Sequence, residues 1–296
     1  MREETLHAGG LSFHTLQAGP ADGPLVMLLH GFPDTSAAWR HQIPALVEAG
    51  YRVCAPDLRG YGGSDKPGKV SDYDLDPLSD DVAAMIRAIG AERAAVVGHD
   101  WGGGVAWHFA QRHPAYLTRL VVMNCPHPKV FADVLRTSFS QVRRSWYMFF
   151  FQIPWIPEWL TRRKPREFVE RTFRGLAANK EAFTDADLDQ AAQSIALPGA
   201  ARGGINYYRA AFRKSPWQLK KRVEFWSTPI AVPTMLIWGL QDSALGQELI
   251  EPNRHLVSGS YELVEIQESS HWVQQEAPEQ VNQALLRHLA PLLETV

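Results

Sequence analysis

Short, uninterrupted apolar runs alternate along the front of the chain with longer segments of helical period. Leu25-Val26-Met27-Leu28-Leu29 is the first such run, ending at His30-Gly31. Apolar and polar positions alternate only where one face of a strand meets water, so an unbroken run predicts a strand buried on both faces. Arg52-Val53-Cys54-Ala55, Ala94-Ala95-Val96-Val97 and Leu120-Val121-Val122-Met123 read the same way. Between them lie predicted helices over Ser36 to Ala49, Asp80 to Ile89 and Trp101 to Gln111, stopped by Gly50, Gly90 and His113-Pro114. That β-α-β-α-β-α-β order predicts a parallel sheet with helices on both faces. Ahead of it, Leu6 to Gln17 alternates around Gly9-Gly10, which predicts a hairpin on the sheet edge.

From about Pro126 to Thr228 the pattern changes to helical period, rich in arginine and aromatics and poor in strands. The sheet pattern then returns in Thr234-Met235-Leu236-Ile237-Trp238 and Tyr261-Glu262-Leu263-Val264-Glu265-Ile266, and Val281 to Leu293 closes as a helix. The expected division is a core made of residues 1–126 and 229–296, interrupted by a helical lid over 127–228. An insertion there would sit over the carboxyl ends of the strands, where open α/β sheets bind ligands.

The chain has 296 residues, with 30 basic and 32 acidic side chains and a formal charge of −2. That balance argues against a disordered polyelectrolyte and against a nucleic-acid partner. Only Cys54 and Cys125 are present, so neither a disulfide framework nor a Cys-rich zinc site is expected. No His/Cys cluster has metal-ligand spacing, and no cofactor or metal is expected. Met1 to His7 is polar, with no signal-like apolar core. The aromatic run Tyr147 to Leu160 is broken by Gln152, Pro154, Pro157 and Glu158 and is too short to span a bilayer. The expectation is a cytoplasmic protein without a membrane partner, and Arg162-Arg163-Lys164 reads as a solvated helix face. Ten tryptophans suit a large packed core or an apolar ligand cavity.

The turn Gly98-His99-Asp100-Trp101-Gly102 follows a buried strand and opens a helix. That is the setting of a nucleophile elbow, G-x-S-x-G, with aspartate at its centre. A serine attacking an alkyl carbon would leave an ether, which water does not readily cleave. A carboxylate leaves an ester, which water hydrolyses at the acyl carbon. Asp100 therefore points to displacement at sp³ carbon, by epoxide opening or halide loss. Asp242, past the strand ending at Gly239, and His271, past the strand ending near Ile266, follow in the chain order nucleophile, acid, histidine. Asp242 would set the imidazole tautomer. The backbone N–H groups of Phe32 and Trp101 would hold the charge that develops when water attacks the ester. Gly98 to Gly104 lacks both G-x-G-x-x-G spacing and a G-K-S/T ending, which argues against a nucleotide site.

His30-Gly31-Phe32-Pro33, Asp57-Leu58-Arg59-Gly60-Tyr61-Gly62, Gly98-His99-Asp100-Trp101-Gly102-Gly103, Phe150-Phe151-Gln152-Ile153-Pro154-Trp155, Asn206-Tyr207-Tyr208-Arg209 and Ser270-His271-Trp272 occur in that order. Together they resemble the epoxide hydrolase branch of the α/β-hydrolase superfamily, over nearly the whole chain. The resemblance implies the α/β-hydrolase fold with an inserted lid, a small apolar epoxide and water as substrates, and two lid tyrosines that protonate the epoxide oxygen. Those tyrosines would be Tyr147 and Tyr208, although adjacent Tyr207 competes for the second place. Trp101, Phe151, Trp155 and Trp272 would line the substrate pocket. Oligomeric state stays open between monomer and homodimer. Two other functions fit less of the sequence. A haloalkane dehalogenase shares the Asp nucleophile but needs a second halide donor, and Phe32 has none in its side chain. A non-catalytic binder would have no need of all three of Asp100, Asp242 and His271.

Overall fold

The computed structural model describes residues 1–294. Its eight strands are β1 (Arg2–Ala8), β2 (Leu11–Ala18), β3 (Leu25–Leu29), β4 (Arg52–Pro56), β5 (Ala94–His99), β6 (Leu117–Met123), β7 (Thr234–Gly239) and β8 (Tyr261–Ile266). They form one sheet in the order β1-β2-β4-β3-β5-β6-β7-β8. The β1–β2 hairpin lies at the edge and joins the sheet antiparallel to β4, and the other pairings are parallel. Every residue of β3, β5 and β7 is buried, as their unbroken apolar runs require.

Three helices of the front half are α1 (Gln42–Glu48), α2 (Leu75–Ala88) and α3 (Trp101–Arg112). The lid then contributes α4 (Pro128–Thr137), α5 (Phe139–Arg144), α6 (Trp146–Phe150), α7 (Ile156–Arg163), α8 (Pro165–Leu176), α9 (Asp185–Ala196), α10 (Ala200–Phe212) and α11 (Pro216–Trp226). The chain closes with α12 (Val273–Glu276) and α13 (Pro278–Leu289). Alternate strand residues feed two apolar layers. Val26, Leu28, Ala95 and Val97 pack with Ile43 and Leu46 of α1 and Leu285 and Leu289 of α13. Met27, Leu29, Val96 and Val122 pack on the other face with Met85 of α2 and Phe109 of α3.

Three helix bounds differ from the sequence pattern, each for a backbone reason. The segment 36–49 is split into a 3-10 turn, Ser36–Trp39, and α1. Pro44 has no N–H to bond the Arg40 carbonyl, so one helix cannot run through both. Helix α2 starts five residues before Asp80, because the Asp74 carboxylate caps the Leu75 N–H and Pro77 falls in the first turn, where no N–H is needed. Helix α13 gives way to a short 3-10 turn, Ala290–Leu292, where Pro291 ends the ladder.

The elbow between β5 and α3 works only with very small residues. A Cβ on Gly102 would run into the Leu29 carbonyl oxygen, and one on Gly98 into the Gly102 carbonyl oxygen. Both obstacles are backbone and cannot swing away. Gly102→Ala is therefore expected to destabilise the fold by about 2 kcal/mol or more, the scale of an overpacked core. Urea unfolding of the variant against wild type checks this, and an unchanged midpoint would show that α3 can slide off β3.

Candidate active site

Loops past the carboxyl ends of β3, β5, β6, β7 and β8 converge beneath α6 and α10. Asp100 stands at the elbow with φ 51° and ψ −123°, a backbone conformation that a non-glycine residue adopts only under constraint. Its side chain makes no capping bond to α3, although Asp is a common cap residue. Instead it faces the cleft. Oδ1 accepts a hydrogen bond from the Phe32 N–H at 2.8 Å, and Oδ2 lies 3.6 Å from Nε2 of His271. Gly31 lets the two loops come this close, since a Cβ there would overlap the Asp100 side chain.

His271 is oriented from behind. Its Nδ1 lies 2.7 Å from Oδ2 of Asp242, which leaves Nε2 toward Asp100. Asp242 has no exposed side-chain surface, and both its oxygens are satisfied. Oδ1 accepts from the Ala244 and Leu245 N–H groups at 2.8 and 2.9 Å. Oδ2 is shared between His271 and the Asn124 amide, 2.9 Å away.

The charges are coupled. Burial alone would lower the His271 pKa, but the Asp242 and Asp100 carboxylates outweigh it and push the ring up to about 10. Burial would likewise raise both carboxyls, yet each is held below its ordinary value. For Asp100 the opposing groups are His271, His99 and the Phe32 N–H. For Asp242 they are His271, the Leu245 N–H and Asn124. The resting site is an imidazolium between two carboxylates.

An aromatic wall closes over Asp100. The Tyr208 ring meets Phe32 at 5.6 Å, Trp101 at 5.0 Å, Phe151 at 4.9 Å and Tyr147 at 5.8 Å. Tyr207 turns the other way, donating its hydroxyl to the Arg59 carbonyl at 2.8 Å and packing on Tyr61 and Tyr73. The structure thus brings Tyr208, not Tyr207, together with Tyr147 and Asp100. Burial raises both phenols well above their ordinary value, and the Asp100 charge adds to it. They remain protonated and can donate.

Two expected pocket residues lie elsewhere. Trp155 is 81% exposed at the start of α7, with φ 62° and Ile156 and Pro157 following it. That backbone turn points its indole out of the lid, so it is not a wall of the cleft. Trp272 is buried beside His271 with its outer face covered by the lid rings Phe173 and Phe183, at 4.7 and 6.2 Å. It backs the histidine rather than opening onto a cavity. His30 and His99 bond backbone groups. His30 Nε2 accepts from the Leu58 N–H, and His99 Nε2 bonds the His271 carbonyl oxygen.

Sequence reasoning missed two contributors. Asn124, at φ 39°, bonds Asp242 and both backbone groups of Gly239, yet in the sequence it shows only that the strand before it carries no rival acid. Asp34 bonds Gln275 at 2.8 Å, tying the Phe32 loop to the helix after His271. Its one sequence signal is its place directly after Phe32-Pro33. Burial pushes the Asp34 carboxyl up to about 7.

The α/β hydrolase fold family model matches residues 24–278, taking in the elbow, the lid and both partners of Asp100. The chain belongs to the α/β hydrolase fold family. Among its relatives is the AB hydrolase superfamily protein YfhM of Bacillus subtilis, 40% identical over 96% of this chain and 96% of the relative. Another is Epoxide hydrolase 1 of Caenorhabditis elegans, 39% identical over 93% of this chain and 67% of the relative. The crystal structure of Epoxide Hydrolase A from Mycobacterium thermoresistibile superimposes with a TM-score of 0.85, at 31% identity over 98% of both chains. Within the superfamily the chain falls in the epoxide hydrolase branch.

A histidine raised from 6.5 to about 10 stabilises the fold fully below pH 6.5, and that contribution disappears as pH climbs through 10. Asp100→Ala removes one of the two carboxylates responsible. Its His271 imidazolium resonance should therefore titrate at lower pH than in wild type. The stability gap between the two proteins should change between pH 7 and pH 10 as wild type loses its ion pair. Imidazole NMR titration and urea unfolding at several pH values test this, and identical His271 titrations would refute the coupling.

Proposed function

We propose that the protein opens a small apolar epoxide with water to a vicinal diol through an ester on Asp100. The supporting observation is the split environment of the Asp100 carboxylate. Oδ1 is held by the Phe32 N–H, while Oδ2 is free of backbone donors and faces His271. That split suits one oxygen to the oxyanion role and the other to nucleophilic attack.

In the first step Oδ2 bonds to an epoxide carbon and the C–O bond of the ring breaks. The electron pair goes to the epoxide oxygen, which takes a proton from Tyr147 or Tyr208. An alkoxide is a poor leaving group, so this acid is required. A tyrosinate is costly where burial raises the phenols, and the His271 imidazolium returns its proton. Alkylation makes that transfer easier, because the ester no longer carries the Asp100 charge that helped raise the ring. The histidine so becomes a neutral base only after the ester exists.

In the second step His271 takes a proton from water, and the hydroxide attacks Cγ of Asp100. The charge moves to Oδ1, facing Phe32 N–H, with the Trp101 N–H in the unbonded first turn of α3 as the second donor. Collapse breaks the Cγ–Oδ2 bond; the departing alkoxide takes the proton of the added hydroxyl and leaves as the diol with Oδ2, the carboxylate keeps an oxygen from water, and His271 ends the cycle as the imidazolium it began as. Asp242 and Asn124 hold the imidazole throughout. The dehalogenase reading is the weaker one, since Phe32 offers no side-chain donor to a halide and the paired Tyr147 and Tyr208 suit an epoxide oxygen.

His271→Gln exposed to styrene oxide should accumulate a protein species heavier by the whole epoxide, because ring opening loses no atoms. Asp100→Ala should gain no mass and should retain less than about 1% of turnover, given the size of triad-nucleophile losses. Intact-mass spectrometry reads both, and a bromoalkane adduct lacking bromine in place of the epoxide adduct would reverse the assignment. In single-turnover kinetics Tyr208→Phe should slow ester formation more than ester hydrolysis. An unchanged first step would remove Tyr208 from the acid role.

A further inference from the structure

Charge is strongly segregated between the two parts of this chain. Residues 127–228 carry 18 basic and 9 acidic side chains, a net +9, whereas the remaining residues carry 12 and 23, a net −11. The lid also holds most of the exposed large apolar side chains. Trp146 is 65% exposed, Trp155 81%, Trp159 55% and Trp217 63%, with Phe149 and Ile156 about half exposed beside them. Leaving four indoles in water is unusual for a lid whose task is to cover a cleft.

These residues form a continuous region. The Phe149 ring meets Phe212 at 5.5 Å, and Arg213 donates to the Gln152 carbonyl at 2.8 Å. Those contacts hold the end of α10, which leads into α11 with Trp217, Lys220 and Lys221, against the segment from α6 to α7. Over residues 143–164 the one acidic side chain is Glu158, and it turns inward to pair with Arg209. Outward charge there is cationic. Arg143, Arg162 and Arg163 are exposed and have no ion-pair partner among the described residues. Arg163 lies over the Trp159 ring at 4.9 Å and Lys221 over Trp217 at 3.9 Å, so cations and indoles share one surface.

We infer that this outer lid face docks reversibly on an anionic lipid bilayer. Indoles settle at the headgroup boundary, and arginine and lysine reach past them to lipid phosphates while their stems stay with the apolar surface. A second copy fits less well. Lid against lid would press +9 on +9, and lid against the acidic core of another chain would be a heterologous contact without the two-fold of a simple dimer. No helix among the described residues is long and apolar enough to cross a membrane, so the contact lies along the surface. A bilayer contact of this kind runs against the expectation of no membrane partner and gives Arg162-Arg163-Lys164 a role beyond a solvated helix face.

The test is cosedimentation of the whole protein with phosphatidylcholine vesicles, with and without phosphatidylglycerol, in the absence of any epoxide. Partitioning onto the anionic vesicles should be about 10-fold or more above the neutral ones and should fall with added salt. Tryptophan emission should shift to the blue on binding. Trp159→Ala with Arg162→Glu and Arg163→Glu should lower partitioning about 10-fold, with circular dichroism unchanged. Trp217→Ala with Lys221→Glu, on a different helix, should do the same and guards against misfolding of the first variant. Absent binding, equal binding to both vesicle types, or full binding by both variants overturns the proposal. So does a stable dimer in sedimentation velocity that the same substitutions dissociate. Because no turnover is measured, the outcome is independent of whether the chain opens epoxides.

Discussion

An imidazolium between the buried Asp242 and the half-buried Asp100 carboxylates is the constraint on which the rest of the site depends. Two such carboxylates inside a fold are expensive unless each oxygen is matched by a donor. Here the matching groups are the Phe32, Ala244 and Leu245 N–H groups, the Asn124 amide and the ring itself. They come from four loops, each past a different strand end. The register Leu29 opposite Gly98, His99 opposite Met123, Met123 opposite Ile237 and Gly239 opposite Ile266 is what levels those ends. A slip of one residue in any pairing would leave a buried charge without its donor, so the sheet and the charge cluster hold each other in place.

The same electrostatics order the proposed chemistry in time. While Asp100 is ionised it keeps the ring protonated, and a protonated ring cannot take a proton from water. When Asp100 becomes an ester, its charge is gone and the ring is released. The aromatic wall contributes by raising the tyrosine pKa values, which favours the return of the donated proton. Nucleophile, acid and base are thus coupled through burial and charge rather than through three separate devices.

Much of the fold was legible because buried parallel strands leave unbroken apolar runs and because glycine at an elbow answers a steric demand that no other residue meets. Asp100, Asp242 and His271 were legible for a related reason: each follows directly on a strand whose end the pattern marks. What escaped depends on tertiary direction. Tyr207 and Tyr208 are neighbours of identical chemistry, and only the carbonyl of Arg59, far away in sequence, decides which one turns from the cleft. Trp155 sits in an aromatic run that suggests a pocket, but a positive φ sends its indole outward. Asn124 was invisible as a partner because an amide acquires that role only once β6 and β7 lie side by side.

The His271 loop is also where the lid is fastened. The Ser270 hydroxyl donates to the Leu176 carbonyl at the end of α8, and Glu276 accepts from the Ala178 and Asn179 N–H groups of the lid. Arg40, which pairs with Gln275 of α12, reaches the Ala182 carbonyl and Asp187 of the lid as well. Beneath these, Trp272 packs against Phe173 and Phe183. The loop that presents His271, the proposed base, therefore also anchors the segment that carries Tyr147 and Tyr208, the proposed acids. A lid fixed there keeps one reference point for both halves of the reaction, and any motion that admits substrate must pivot away from this edge. The cationic, indole-rich face lies on α6, α7 and α11, outside every one of these fastenings. That separation leaves it free to meet a surface without disturbing the histidine.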